Sequence, residues 1–145
     1  MSYLFESFKG WKSYCEEKNL TLPESVIEYE VDQKNGTDEK IKAGLLQAYG
    51  VMKDAVKTGL EEEMTSRSGM INNGAKKVFN HPLSVLSPEF QKLISRALAA
   101  KEVNSCMGRV VAAPTAGASG ILPGTLVTLQ EIHGLTDEQI VDGLL

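Results

Sequence analysis

The chain has 145 residues, 42% of them hydrophobic and 23% charged, with a formal net charge of −4 and a pI near 5.2. This is enough chain to bury an ordinary core, and the composition is that of a folded globular protein rather than a disordered one. Lysine and arginine are scattered among the acids, which argues against a nucleic-acid partner or an acidic membrane surface. No window approaches the roughly 20 apolar residues of a membrane-spanning helix. The opening MSYLFESFKGW lacks the basic start and apolar core of a signal peptide, so a cytoplasmic protein is expected.

The chain reads as helix after helix. Leu4, Phe5, Phe8, Trp11 and Cys15 recur at three- and four-residue steps and predict one apolar face of an opening helix, broken at Asn19-Leu20. Thr21, Pro23 and Glu24 predict a fresh start with a capping box, and Val26, Ile27 and Val31 its buried side. After the turn KNGTDE, Thr37 is the expected N-cap of the longest helix, with Asp38 and Glu39 in its dipole-favoured first turn. Ile41, Leu45, Tyr49, Met52, Val56 and Leu60 then form a heptad-like stripe suited to a bundle.

TSRSGMINNGAKK is rich in Ser, Gly and Asn and reads as loop or turn, and NHP at 80–82 as another turn. Ser87-Pro88-Glu89 starts a further helix, with Phe90, Leu93, Ile94, Ala97 and Leu98 as its expected buried face. GRVVAAP (108–114) is open between a short strand, a buried helical turn and an extended segment. A helix over about 119–132 follows. Thr136, Asp137 and Glu138 open a last one with Ile140, Val141, Leu144 and Leu145 on its apolar side. That stripe stops in mid-pattern, without a Gly or Asn cap or a basic last turn, so the chain is expected to be the front part of something longer. The fold class expected is all-α, an irregular multi-helix bundle that is part of a larger helical domain.

Residues able to carry chemistry are few. His81 and His133 sit in a turn and near a helix end, without the convergent partners a base or metal ligand needs. Cys15 and Cys106 are the only cysteines and make neither a disulfide framework nor a metal-ligand spacing; Cys106 reads as a small buried hydrophobe. Residues 112–125, AAPTAGASGILPGT, match neither a phosphate loop with its Gly-Lys-Ser/Thr nor G-x-G-x-x-G. Two readings stay open. Small residues running into a helix N-terminus can cradle an anion with backbone N–H groups and the hydroxyls of Thr115 and Ser119, or they can simply let helices pack closely. Ser66 and Ser68 around Arg67 pose the same choice, between a carboxylate grip and a helix end with its turn.

The run NSCMGRVVAAPTAGASGILPGTL (104–126), with SRSGM and GAKK before it and AAKEVNSCMGR leading in, resembles the signature of the iron–sulfur-dependent L-serine dehydratases, specifically their alpha subunit or catalytic domain. The resemblance extends over the whole chain and makes 1–145 the N-terminal part of that domain. It implies an all-helical protein that converts L-serine to pyruvate and ammonia. A four-iron four-sulfur cluster, rather than pyridoxal phosphate, would act as the Lewis acid on the serine hydroxyl. It also implies that the Ala-Pro-Thr segment and the Ser-rich loop are pocket walls, with Thr115, Ala116, Gly117, Ser119 and Gly120, then Ser66 and Ser68, as the substrate-binding residues. The family's cluster cysteines lie downstream of the motif, so no metal ligand is expected within 1–145. The implied partners are L-serine, a beta subunit or beta domain, and further copies in an oligomer. The chain departs from the family in having Asn72, Asn73 and Gly74 where Gly-Gly-Asp usually precedes Ala.

Overall fold

A computed structural model describes residues 7–33, 35–115 and 117–145. Among them are seven helices: α1 (Phe8–Lys18), α2 (Leu22–Asp32), α3 (Asp38–Glu61), α4 (Gly74–Asn80), α5 (Pro88–Ser105), α6 (Ala118–His133) and α7 (Asp137–Leu144). The only β-type pairing among the described residues is one isolated bridge, Thr65 with Asn72. The protein is an all-α bundle, and 108–114 is an extended segment rather than a strand. The chain divides into two compact units, one running to Leu46 with Val141–Leu145 added, the other Gln47–Ile140.

In the first unit, local chemistry sets the helix ends. The Ser7 hydroxyl accepts the Gly10 N–H at 3.1 Å, and Asn19, in the left-handed region at φ 55°, ends α1. The capping box of α2 is present: Thr21 Oγ1 accepts from the Glu24 N–H, and the Glu24 carboxylate takes the Thr21 N–H at 2.7 Å. The Thr21 N–H, then the Thr21 hydroxyl, which also donates to the carboxylate at 2.7 Å, hold the Glu24 carboxyl below its usual range. The Trp11 indole donates to the Ser25 hydroxyl at 2.7 Å, tying α1 to α2 beside buried Cys15 and Ile27. Two expected core positions are exposed instead, Phe8 and Val31. Phe8 packs edge-on against Trp11, and Val31 lies in the last turn of α2, past its buried residues. Leu4 and Phe5 lie outside the described residues.

In the second unit, α5 is the central element, flanked by α4 and α6. Ala55 and Val56 of α3, Met64, and Ala100 and Val103 of α5 form the buried cluster, with Leu60, Cys106, Val110 and Val127 packed against it. Gly59 lets α3 approach α5 closely, since a Cβ there would stand 2.4 Å from the Ala99 carbonyl oxygen. The buried face of α5 differs in part from the one expected: Leu93, Ile94 and Ala97 are half-buried. Gln91, Ser95, Arg96, Ala99, Ala100, Glu102 and Val103 are buried, whereas Phe90 (50% exposed) and Leu98 are exposed. Alanines stand where the flanking backbones approach most closely, Ala99 opposite Gly59 and Ala97 opposite Gly124.

Polar networks join the helices of this unit. Arg96, only 8% exposed, donates to the Thr128 hydroxyl at 3.2 Å and pairs with Glu131, which Lys92 also engages. Lys92 and then Arg96 hold the Glu131 carboxyl below its ordinary value. Tyr49, fully buried, donates its hydroxyl to Gln130 Oε1 at 2.7 Å, and Gln130 Nε2 donates to Asp137 Oδ1 at 2.7 Å. Lys53 closes the ring, 2.6 Å from Asp137 Oδ2 and 4.9 Å from the Tyr49 ring centroid. Burial, then the Asp137 carboxylate, push the Tyr49 hydroxyl up to about 12. Asp137 also sits in the first turn of α7, where Thr136 and Gln139 exchange capping bonds at 2.9 and 3.3 Å.

Candidate functional site

The Ser-rich segment is a tight loop closed on itself. The Ser66 N–H donates to the Ile71 carbonyl at 3.1 Å and the Asn73 N–H to the Met64 carbonyl at 3.0 Å, while Asn73 Oδ1 accepts the Met64 N–H at 2.6 Å. Gly69 and Asn73 supply the positive φ values the turn needs, 73° and 54°. The buried Ser66 hydroxyl accepts the Ile71 N–H at 3.0 Å and lies 3.2 Å from the Ser68 hydroxyl, so the two predicted serines are brought together. Ser68 and Arg67 are exposed.

GAKK is not part of the loop, as expected from composition, but the start of α4. Sequence reading misses this helix because its first residue is Gly74 and the Asn73 side chain does not cap it. The cap comes instead from Glu102, 27 residues away on α5, whose Oε1 accepts the Ala75 N–H at 3.2 Å. The available signal is that Glu102 follows Ser95 and Ala99 at helical spacing, on the inner face of α5.

The other predicted segment begins where α5 ends. Met107 sits at φ 66°, its N–H donating to the Asn104 carbonyl at 3.1 Å, while the Gly108 N–H donates to the Val103 carbonyl at 2.8 Å. These are the two hydrogen bonds of a Schellman cap, with Met107 rather than a glycine in the left-handed position. Gly108 meets a different need, since a Cβ there would stand 2.5 Å from Val103 Cγ1. Val110 then packs on the buried cluster.

Thr115 Oγ1 accepts the Ala118 N–H at 3.1 Å at the start of α6, and its O–H has no acceptor among the described residues. Gly117 occupies the exposed N-cap position. Ala116 lies outside the described residues. Ser119 and Gly120 are buried, Gly120 against α5: a Cβ on it would stand 2.3 Å from Lys101 Cγ and 2.8 Å from the Ala97 carbonyl oxygen. One turn on, a Cβ on Gly124 would stand 2.5 Å from the Ala97 backbone nitrogen. Close helix packing, one of the two readings open at sequence level, is therefore the role of Gly120 and Gly124. Both predicted segments meet the last turns of α5, the Ser-rich loop through Met64 and α4 onto Val103 and Glu102, the small-residue segment through Gly108 onto Val103 and Gly120 onto Lys101.

Cys106 is half-buried against the cluster and Cys15 is buried in the first unit. No group of three His, Cys, Asp or Glu able to hold a metal exists among the described residues. Two isolated cysteines do not fit a four-iron cluster, which takes several thiolates. His81 and His133 are exposed at the ends of α4 and α6, with His81 Nδ1 2.8 Å from the Lys77 carbonyl oxygen. No described helix is long and apolar enough to cross a membrane.

The second unit is thus a helical domain in which two glycine- and hydroxyl-rich segments, neither of them a phosphate loop, each pack on the last turns of α5. The family model described as "Serine dehydratase alpha chain" matches residues 17–145, and the chain belongs to that family. It is similar to the L-serine dehydratase alpha chain of Peptoniphilus asaccharolyticus, 31% identical over 90% of this chain and 46% of that one. It is likewise similar to the probable L-serine dehydratase alpha chain of Bacillus subtilis, 32% identical over 95% of this chain and 47% of that one. An L-serine dehydratase of Streptomyces coelicolor is 28% identical over 100% of this chain and 32% of its own length. The chain thus spans about half the length of the first two relatives. No solved structure matches it.

Proposed function

We propose that this chain is part of an L-serine dehydratase and supplies walls of its substrate pocket. The observation that carries the reading is family membership over residues 17–145, in which both signature segments meet at the C-terminal turns of α5. The reaction is a β-elimination. The α-proton and the β-hydroxyl leave L-serine as water, giving aminoacrylate, which tautomerises to the imine and takes up one water to release pyruvate and ammonia. The substrate-binding residues of this reading are Thr115, Ala116, Gly117, Ser119 and Gly120, with Ser66 and Ser68. Of these, Thr115 and Ser68 present exposed hydroxyls, the donors a substrate carboxylate requires. A four-iron four-sulfur cluster belongs to the proposal for the complete enzyme, and residues 1–145 do not supply its thiolates. A beta subunit or domain, an oligomer and a cytoplasmic location belong to the same proposal.

The test uses the complete enzyme carrying this chain. Pyruvate must form from L-serine, and Thr115→Ala combined with Ser119→Ala must raise KM. Unchanged KM and kcat would favour the second reading, a structural segment. That reading draws on Gly120 and Gly124, whose missing side chains let α6 lie against Ala97.

A further inference from the structure

Glu102 is 6% exposed, and only one of its carboxylate oxygens is used. Oε1 accepts the Ala75 N–H, and the Gly74 backbone comes so near that a Cβ there would stand 2.7 Å from Oε1. Oε2 is buried and finds no donor among the described residues. A carboxylate offers about four acceptor sites, and a buried charge with one oxygen left dry is strongly disfavoured unless a donor comes to it. The nearby lysines of α4 are engaged elsewhere, Lys76 with Glu63 at 2.9 Å and Lys77 with the Asn72 carbonyl at 2.9 Å. Glu102 also lies on the turns of α5 that both signature segments contact, bonding the start of α4 after the Ser-rich loop and preceding Val103, which Gly108 meets.

We propose that Glu102 Oε2 receives the ammonium group of an α-amino acid held between the Ser-rich loop and the segment that follows α5. This rests on the dehydratase reading and deepens it. Hydroxyls and backbone N–H groups take the substrate's carboxylate, and one buried acid takes its ammonium, so a hydroxy acid without the amine is discriminated against. Glu102→Gln keeps the shape and the Oε1 acceptor but replaces Oε2 by a donor, which an ammonium cannot use.

The experiment compares L-serine with 3-hydroxypropanoate, which is serine without its amine, in the complete enzyme. Glu102→Gln should raise KM for L-serine tenfold or more, the range of a charge-assisted bond, and leave the inhibition constant of 3-hydroxypropanoate within about twofold. Gly74→Ala crowds the same carboxylate without changing its charge and should show the same selectivity, which keeps the proposal testable if Glu102→Gln folds poorly. Equal shifts for both ligands, or none for either, would overturn it. Absence of any serine turnover by the unsubstituted enzyme would instead overturn the dehydratase reading, and this assignment with it.

Discussion

Replacing Gly124 by Ala sets two opposing effects against each other. Alanine is favoured over glycine inside a helix by about 1 kcal/mol, so propensity alone predicts a more stable chain. The new methyl, however, stands 2.5 Å from the backbone nitrogen of Ala97 and 2.7 Å from its Cα, nearly an ångström short of ordinary contact. Backbone cannot swing aside as a flexible side chain does, so α6 must draw back from α5 and loosen the Arg96–Thr128 contact one turn away. Overpacking of this kind costs about 1–3 kcal/mol, and the upper end applies where the obstacle is main chain. The net expectation is a loss of roughly 1–2 kcal/mol, a fall in Tm of about 3–8 °C for a chain of this size. Gly50→Ala in α3 is the matched control, since a Cβ there meets nothing within 4 Å, and it should raise stability by about 0.5–1 kcal/mol. Circular dichroism melts at 222 nm check both. A Gly124→Ala chain that melts at or above the parent, beside a stabilised Gly50→Ala, would refute the packing argument.

Met107→Gly removes the left-handed strain of a side chain at φ 66° and should stabilise by about 0.5–1 kcal/mol after glycine's entropic cost, read by urea titration. Tyr49→Phe bears on the alkaline limb. The folded Tyr49 hydroxyl titrates at about 12 rather than 10, so its stabilisation is complete below pH 10 and lost as pH rises from 10 to 12. The variant should lose about 1 kcal/mol at neutral pH with its bond to Gln130 and show a flatter stability profile above pH 10. Glu131→Gln bears on the acid limb. The depressed Glu131 carboxyl contributes stability above the usual carboxylate pKa and loses it as pH falls through its folded value, so the variant should be less acid-sensitive. At pH 7 it should cost roughly 1 kcal/mol after allowance for solvent screening, measured by denaturant melts at both pH values.

What was legible in the sequence was mostly local. The caps at Thr21, Ser87 and Thr136 are bonds between residues three apart, so side-chain chemistry and spacing suffice to read them. The α3 stripe held because Tyr49, Met52 and Val56 are large and face one way. The α5 face was not legible. Hydropathy selected Phe90, Leu93, Ile94, Ala97 and Leu98; Ala97 does meet Gly120 and Gly124, but Phe90 and Leu98 are exposed and Gly59 brings α3 onto Ala99, which hydropathy did not pick. The buried Arg96 is tolerated only because Glu131 and Thr128 approach from more than 30 residues away. Helix α4 went unread for the same reason, its cap lying on α5.

For the candidate site, the two segments were picked out by residue type and family likeness, and their meeting at α5 came from the fold. Hydroxyls, glycines and a run of signature residues are visible in one dimension, and by themselves they determined the family, the all-α class and most helix starts. Tertiary structure decided which glycines are spacers, and that Glu102 is a buried acid with one oxygen unanswered among the described residues. Those properties depend on which atoms stand within a few ångströms across about 20 to 40 residues of chain, a relation that periodicity and composition do not encode.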